Sequence, residues 1–216
     1  MNINLQSTRS LLLIGLLCVS PFSYAANLIS NGSFELGTFS PPSNGTQSLP
    51  VGSTTINGWT VTGDAIGWIG YPNPWSLSAS EGKFFLDLTD YSSGAPFGGV
   101  AQVIPTTIGQ SYELSFDLGS SNLYGRPSAI QANATGISNV FTSALTGTHS
   151  DWEHFSMLFT ASSSTTTISL AGNTGNSYVG LDNVAVNAVP VPAAAWLFGT
   201  GLIGFMGMRK KPNFTA

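Results

Sequence analysis

Cysteine is all but missing from the 216 residues, and the single one, Cys18, lies in an apolar stretch near the start of the chain. The folded part can therefore hold no disulfide and no thiolate metal site, so packing and hydrogen bonds must carry its stability. Basic side chains are nearly as scarce. Of six Lys and Arg, Arg9, Arg209, Lys210 and Lys211 stand towards the two ends. That leaves Lys83 and Arg126 against all ten Asp and Glu, a net charge of −8 for the stretch between. Such a body repels nucleic acid, whose binding rests on neutralising phosphates with Lys and Arg. It is equally unsuited to anionic lipid, and suits neutral polymers, cations or simple solubility. Histidine is limited to His149 and His154, five positions apart and so on opposite faces of any strand. With no G-x-S-x-G elbow and no H-E-x-x-H pair, neither a nucleophilic triad nor a zinc site has a footing.

The two ends read as addresses. Arg9, the apolar residues 11–19, Pro21 and the small-residue pattern Ser23-Tyr24-Ala25 make a secretory signal peptide of residues 1–25. Leu17 is too large to precede the cysteine of a lipoprotein signal. Towards the other end, Gly199-Thr200-Gly201-Leu202-Ile203-Gly204 has the spacing of a dinucleotide-binding turn. Two prolines precede it, however, and no acidic residue follows to hold a ribose. A membrane suits these residues better. The 20 residues from Val189 to Met208 carry no charge, and a helix of that length spans about 30 Å, the thickness of a bilayer core. Arg209, Lys210 and Lys211 then form its positive cytoplasmic end.

Val189-Pro190-Val191-Pro192-Ala193, the apolar segment behind it and the closing Arg209-Lys210-Lys211 together resemble a PEP-CTERM sorting signal of the VPxPA type, over residues 189–211. The resemblance implies an exported bacterial protein, held at the inner membrane by its C-terminal transmembrane helix with the domain outside. An exosortase-type enzyme would be its processing partner, and the cell surface or extracellular matrix its destination.

Residues 27–188 make one domain rich in Gly, Ser, Thr and Asn. Ser111-Tyr112-Glu113-Leu114-Ser115-Phe116-Asp117-Leu118 alternates polar and apolar without a break, the period of a strand with one buried face. Similar runs occupy residues 83–88, 99–104, 152–160, 165–170 and 180–186, with turn-forming clusters such as 106–110 and 162–164 between them. Residues 41–52 read as a long loop, and no segment has a helical period. These features predict an all-β sandwich, a jelly roll.

The frame also matches a known one. Asn31-Gly32-Ser33-Phe34-Glu35, Ile56-Asn57-Gly58-Trp59, Phe85-Leu86-Asp87-Leu88, Gly99-Val100-Ala101-Gln102 and Gly180-Leu181-Asp182-Asn183-Val184 follow one another in order. In that order they resemble the galactose-binding-like jelly-roll superfamily, in particular carbohydrate-binding-module-like domains of plant cell-wall proteins and their bacterial relatives. The resemblance implies that the first and last strands lie close together, with a structural calcium ion there in many members. Asp182 shares parity with Val184 and Val186, so it is expected on the core side, where an unpaired carboxylate is costly and a hard cation would be a fitting partner. Glu35 matches the other acidic ligand position of the resemblance. Alternatively, backbone N–H groups cap both acids.

For an organic ligand the candidates are aromatic. Gly67-Trp68-Ile69-Gly70-Tyr71-Pro72-Asn73-Pro74-Trp75 reads as a loop because of its prolines, and loop aromatics have little core to fill. Trp68, Tyr71 and Trp75 are therefore candidate sugar platforms, completed by Tyr124 and Arg126 from another loop, while Trp59 and Trp152 are assigned to packing. Two functions follow. One is a non-catalytic module that binds an extracellular polysaccharide; the other is a structural surface or biofilm matrix protein with no small ligand. A glycan-active enzyme is a weaker third reading, since the frame leaves little room for a cleft.

The sorting reading makes a prediction. Replacing Arg209, Lys210 and Lys211 together by Gln should send more protein to the medium uncut, because cytoplasmic charge stops translocation. Unchanged processing and location would contradict it.

Overall fold

A computed structural model of the chain describes residues 26–41, 44–92, 94–121, 123, 127–143 and 151–190. The expected leader, the expected sorting segment from Val191 onward, Tyr124 and Arg126 lie outside the described residues.

Alternation along the chain becomes strand wherever one face can be buried. In β6 (Ser111–Ser120), Tyr112, Leu114, Phe116 and Leu118 all enter the main core. This strand pairs along its whole length with β9 (Asp151–Thr160), and on its other side with β11 (Gly180–Ala188). With β1 (Thr46–Leu49), β3 (Ile66–Gly70) and β4 (Phe84–Asp87) they form a six-stranded antiparallel sheet in the order β1-β3-β4-β11-β6-β9. The facing sheet has the order β2-β5-β10-β7-β8, from β2 (Thr60–Thr62), β5 (Gly99–Pro105), β7 (Ser128–Ala134), β8 (Ile137–Ser143) and β10 (Thr165–Thr174). The result is an all-β sandwich of two antiparallel sheets, as the alternation predicts. Phe34, Trp59, Phe116 and Phe159 lie between the sheets among the largest fully buried side chains.

The opening segment runs beside the last strand. Leu28 N donates to Val186 O at 2.8 Å and Val184 N to Gly32 O at 2.9 Å. Past the strand's far end, Val189 N still donates to Ser111 O at 2.9 Å and Gln110 Nε2 to Val189 O at 2.8 Å. The first residue of the proline motif is thus tied to the sandwich.

Two segments read as loops are strands. Residues 41–52 contain β1, and Trp68 lies in β3 rather than in the loop after it. Trp68 is fully buried in the main core, where Nε1 donates to Phe34 O at 3.2 Å and the ring meets Phe39 edge-on at 5.0 Å. The prolines that suggest a loop begin only at Pro72, after the strand has ended. Trp68 is therefore a packing residue and cannot be a platform. Tyr71, just beyond the strand, is 72% exposed.

This placement predicts that Trp68→Ala lowers unfolding free energy by about 3–5 kcal/mol, the usual cost of emptying a core tryptophan site. Tyr71→Ala should stay within about 0.5 kcal/mol. Denaturant titration of both variants checks it, and equal effects would contradict the assignment.

Candidate functional site

The six-stranded sheet has a second covered face. Ile69 and Phe85 point away from the main core and join Leu77 and Tyr178 in a separate buried cluster, against which Trp75, Ala79, Tyr91 and Trp152 pack. Residues 71–83 form the roof of this cluster. Asn73 shapes its first turn: Nδ2 donates to Gly70 O at 3.1 Å and Leu77 O at 2.8 Å, while Oδ1 accepts from Trp75 N at 3.2 Å and Leu77 N at 3.1 Å. Trp152 Nε1 donates to Ser78 O at 3.0 Å from the far edge of the sheet.

The floor beneath is flat because it is partly glycine. Asp87 stands opposite Gly67 and Gly180, and Gly180 opposite Gly119, in one row across four strands. A Cβ on Gly180 would fall 2.4 Å from the Tyr178 hydroxyl and 2.9 Å from the Trp152 ring. At this position only glycine lets both rings lie down on the sheet.

Carboxylates fasten the roof. Asp182 Oδ2 accepts from Ser80 N at 2.8 Å and Glu81 N at 2.9 Å, and its Oδ1 from Asn183 N at 2.7 Å. Asp117, directly across the ladder from Asp182, accepts from Ser80 Oγ and from Asn183 Nδ2 at 3.1 Å. Its other oxygen meets His154 Nδ1 at 2.7 Å. Glu35 Oε1 accepts from Lys83 N at 2.7 Å and Phe84 N at 2.8 Å.

These contacts correct the expected parity of Asp182. The ladder shifts between Asp182 and Ala185, with Asn183 in the left-handed region at φ 51°, so Leu181 and Val184 both face the main core. Asp182 is left on the roofed face. The metal site expected of Glu35 and Asp182 does not fit what surrounds them. N–H donors occupy both oxygens of Asp182 and Oε1 of Glu35, and a cation there would face their hydrogens. Among the described residues no group of three or more His, Cys, Asp and Glu is placed to hold a metal ion. Of the two alternatives for these acids, backbone capping is the one the geometry supports.

Between roof and floor lies a pocket of about 160 Å³ lined by Trp75, Leu77, Asp87, Tyr91, Ser177 and Tyr178. Trp75 and Tyr91 stack at 4.9 Å with an interplanar angle of 21°. Asp87 is fully buried. Its Oδ1 accepts from Thr89 N at 3.0 Å, Thr89 Oγ1 at 2.9 Å and Val179 N at 3.0 Å, and its Oδ2 from Tyr91 N at 3.1 Å. Burial nonetheless pushes its pKa up to about 6, against the pull of those donors. Burial likewise raises Asp182 to about 7, with the charge of Asp117 adding to it. The Tyr91 hydroxyl is buried without a well-formed hydrogen bond.

The structure thus brings Trp75 and Tyr71 to the roof segment, sends Trp68 to the core, and leaves Tyr124 and Arg126 outside the described residues. Sequence reasoning misses Asp87, Tyr91, Ser177 and Tyr178. A signal for the first is present: Phe84-Phe85-Leu86 puts large apolar side chains on both faces, which a half-exposed strand does not need.

Fold and site together define a β-sandwich with an aromatic pocket on the outer face of one sheet. The chain belongs to the DUF642 family, described as proteins of unknown function, whose model matches residues 27–187. No curated protein matches it. Solved structures similar to it include TmCBM61 in complex with beta-1,4-galactotriose, at 16% identity and a TM-score of 0.45, covering 76% of this chain and 100% of that one. The CBM22-1 xylan-binding domain of Xyn10C from Paenibacillus barcinonensis is similar at 13% identity and a TM-score of 0.46, over 78% and 97% of the two chains. A family 35 carbohydrate binding module from Clostridium thermocellum shares 13% identity at a TM-score of 0.41, over 65% and 97%.

The two raised carboxyls fix the sign of a pH effect. A group whose folded pKa exceeds its unfolded one favours folding while protonated, so stability is full below about pH 4 and falls as pH rises through 6 to 7. A tenfold change in proton affinity is worth about 1.4 kcal/mol, so each group contributes on the order of a few kcal/mol. The melting temperature of the wild type minus that of Asp182→Asn should fall between pH 4.5 and 7.5; a flat or rising difference would contradict the burial of Asp182.

Proposed function

We propose that the domain is a non-catalytic carbohydrate-binding module whose site is the pocket beside Trp75 and Tyr91. The observation that carries this reading is the lining itself. Aromatic walls offer flat apolar faces to the C–H face of a sugar, while half-buried Ser177 offers a hydroxyl to the sugar's own hydroxyls. Exposed Tyr71 lies next to the roof and extends the surface available to a longer chain. The sparse basic charge of the domain favours a glycan that is not strongly anionic.

Binding without turnover is favoured by a Ser, Asp and His chain among the described residues of this face. Asp117 sits between Ser80 and His154, so the imidazole cannot take the proton of the serine as it does in a nucleophilic triad. Export by the signal peptide, sorting by an exosortase-type enzyme and residence at the cell surface or in an exopolysaccharide matrix complete the proposal. They rest on the sequence of both ends; among the described residues no helix is long and apolar enough to cross a membrane.

Affinity electrophoresis of the full chain through neutral polysaccharides tests the reading. Trp75→Ala should weaken retention about tenfold, the loss of one stacked ring, while the variant still unfolds in one cooperative transition. Wild-type protein retained by no glycan would overturn it.

A further inference from the structure

The end of the sandwich from which the chain leaves differs from the rest. The turns at 106–110, 161–164 and 135–136 meet there with the exit at Val189. Thr106 N donates to Ser164 O at 2.9 Å, Gly109 N to Ala161 O at 2.8 Å and Val189 N to Ser111 O at 2.9 Å. Thr166 Oγ1 lies 3.0 Å from Thr106 Oγ1 and 3.2 Å from Thr135 Oγ1. Residues 99–112, 128–143, 155–174 and 184–190 contain no Asp, Glu, Lys, Arg or His, and the first charge met along β6 is Glu113. Asp87, Asp117, Asp151 and Asp182 lie toward the opposite end, where β6 finishes and β11 begins. Apolar side chains stand out instead. Ile108, at the tip of its turn, is 69% exposed, and Val103 and Leu158, on the outer faces of the two sheets, are 64% exposed. Singly such residues are ordinary; their place beside the exit gives them meaning.

The chain beyond the exit decides what this end faces. Val189 is fixed to the sandwich through Ser111 and through Gln110 Nε2, which donates to its carbonyl at 2.8 Å. After Pro190 only 18 uncharged residues, 191–208, precede Arg209, Lys210 and Lys211. A helix needs about 20 residues to cross a bilayer, with about 17 the lower limit. All of 191–208 is therefore taken up by the crossing, and none is left for a tether. A body joined so closely rests on the lipid surface with the end its chain leaves from.

We infer that this uncharged end is a membrane-contact surface, with the Ile108 tip set among the headgroups of neutral lipid. The inference rests on the reading of residues 189–211 as a membrane segment and adds the face of the domain that meets the bilayer. Charge distribution agrees with it. An end without ionised groups enters the headgroup region with little desolvation, which an acidic end could not do. Ile108 gains by leaving water. The aromatic pocket, whose Asp87, Ser177 and Tyr178 sit toward the opposite end, stays clear of the lipid.

Single-cysteine reporters on the full chain carrying Cys18→Ser, reconstituted in phosphatidylcholine vesicles, test this. A fluorophore is attached through Ile108→Cys or Ser163→Cys at this end, and through Asn176→Cys, just before β11, at the other. Lipid carrying a quencher at headgroup depth should remove most of the emission at 108 and 163 and little of that at 176. Ser163→Cys, a small change at an exposed turn, decides alone should Ile108→Cys not fold. Equal quenching at the two ends, or stronger quenching at 176, from chains that float with the vesicles would overturn the contact surface and leave the membrane segment standing. A chain that does not float with the vesicles would overturn both.

Discussion

A sheet covered on both faces needs room for a second layer, and here the room comes from glycine. Gly67, Gly180 and Gly119 lie in one row of the six-stranded sheet, where side chains would otherwise stand between the strands and the roof. The Tyr178 hydroxyl and the Trp152 ring rest over Gly180 and Gly119, and the Tyr91 hydroxyl over Gly67. Those rings, with Trp75, are also what makes the face a pocket instead of a plain hydrophobic cover. Both the second cluster and the candidate site follow from this one concession of side-chain volume.

The shortage of cations shapes the rest. A domain with so few Lys and Arg has few basic partners for its acids, so Asp182, Asp87 and Glu35 rely mainly on backbone N–H groups, and Asp117 on the side chains of Ser80, Asn183 and His154. Asp182 and Glu35 hold the two halves of residues 80–84, Asp117 holds Ser80, and Asp87 holds residues 89–91 and the approach to β11. Each acid therefore fixes a connection between strands that has no ladder of its own. The cost is desolvation, visible in the raised pKa values of Asp87 and Asp182.

Period-two alternation makes six of the strands legible, because all but β4 keep one face in the main core and a more polar outer face; in β4 the outer face carries Phe85 under the roof. It fails where that contrast is absent. Ile66–Gly70 is buried at every position, so β3 reads as an apolar run next to prolines and not as a strand. β1 is short and follows a Pro- and Gly-containing stretch. Parity counting puts Asp182 on the wrong face because it assumes an unbroken ladder, and Asn183 breaks the ladder with a left-handed residue that no periodicity announces. Trp75 is legible from its loop, but its partners Tyr91, Asp87 and Tyr178 come from separate parts of the chain and meet only through the fold. The two end segments read as address signals lie, apart from Val189 and Pro190, outside the described residues, and that reading stands on sequence.

The central claim is that residues 71–83 are folded onto the sheet and held there by acids. Amide hydrogen exchange measures this directly. The amides of Ser80, Glu81, Lys83 and Phe84 should exchange with protection approaching that of β6 and β11, because each donates to a carboxylate of Asp182 or Glu35. Exchange of these four amides at the rate of an unstructured chain, while the strands beneath remain protected, would contradict a folded roof and the pocket that depends on it.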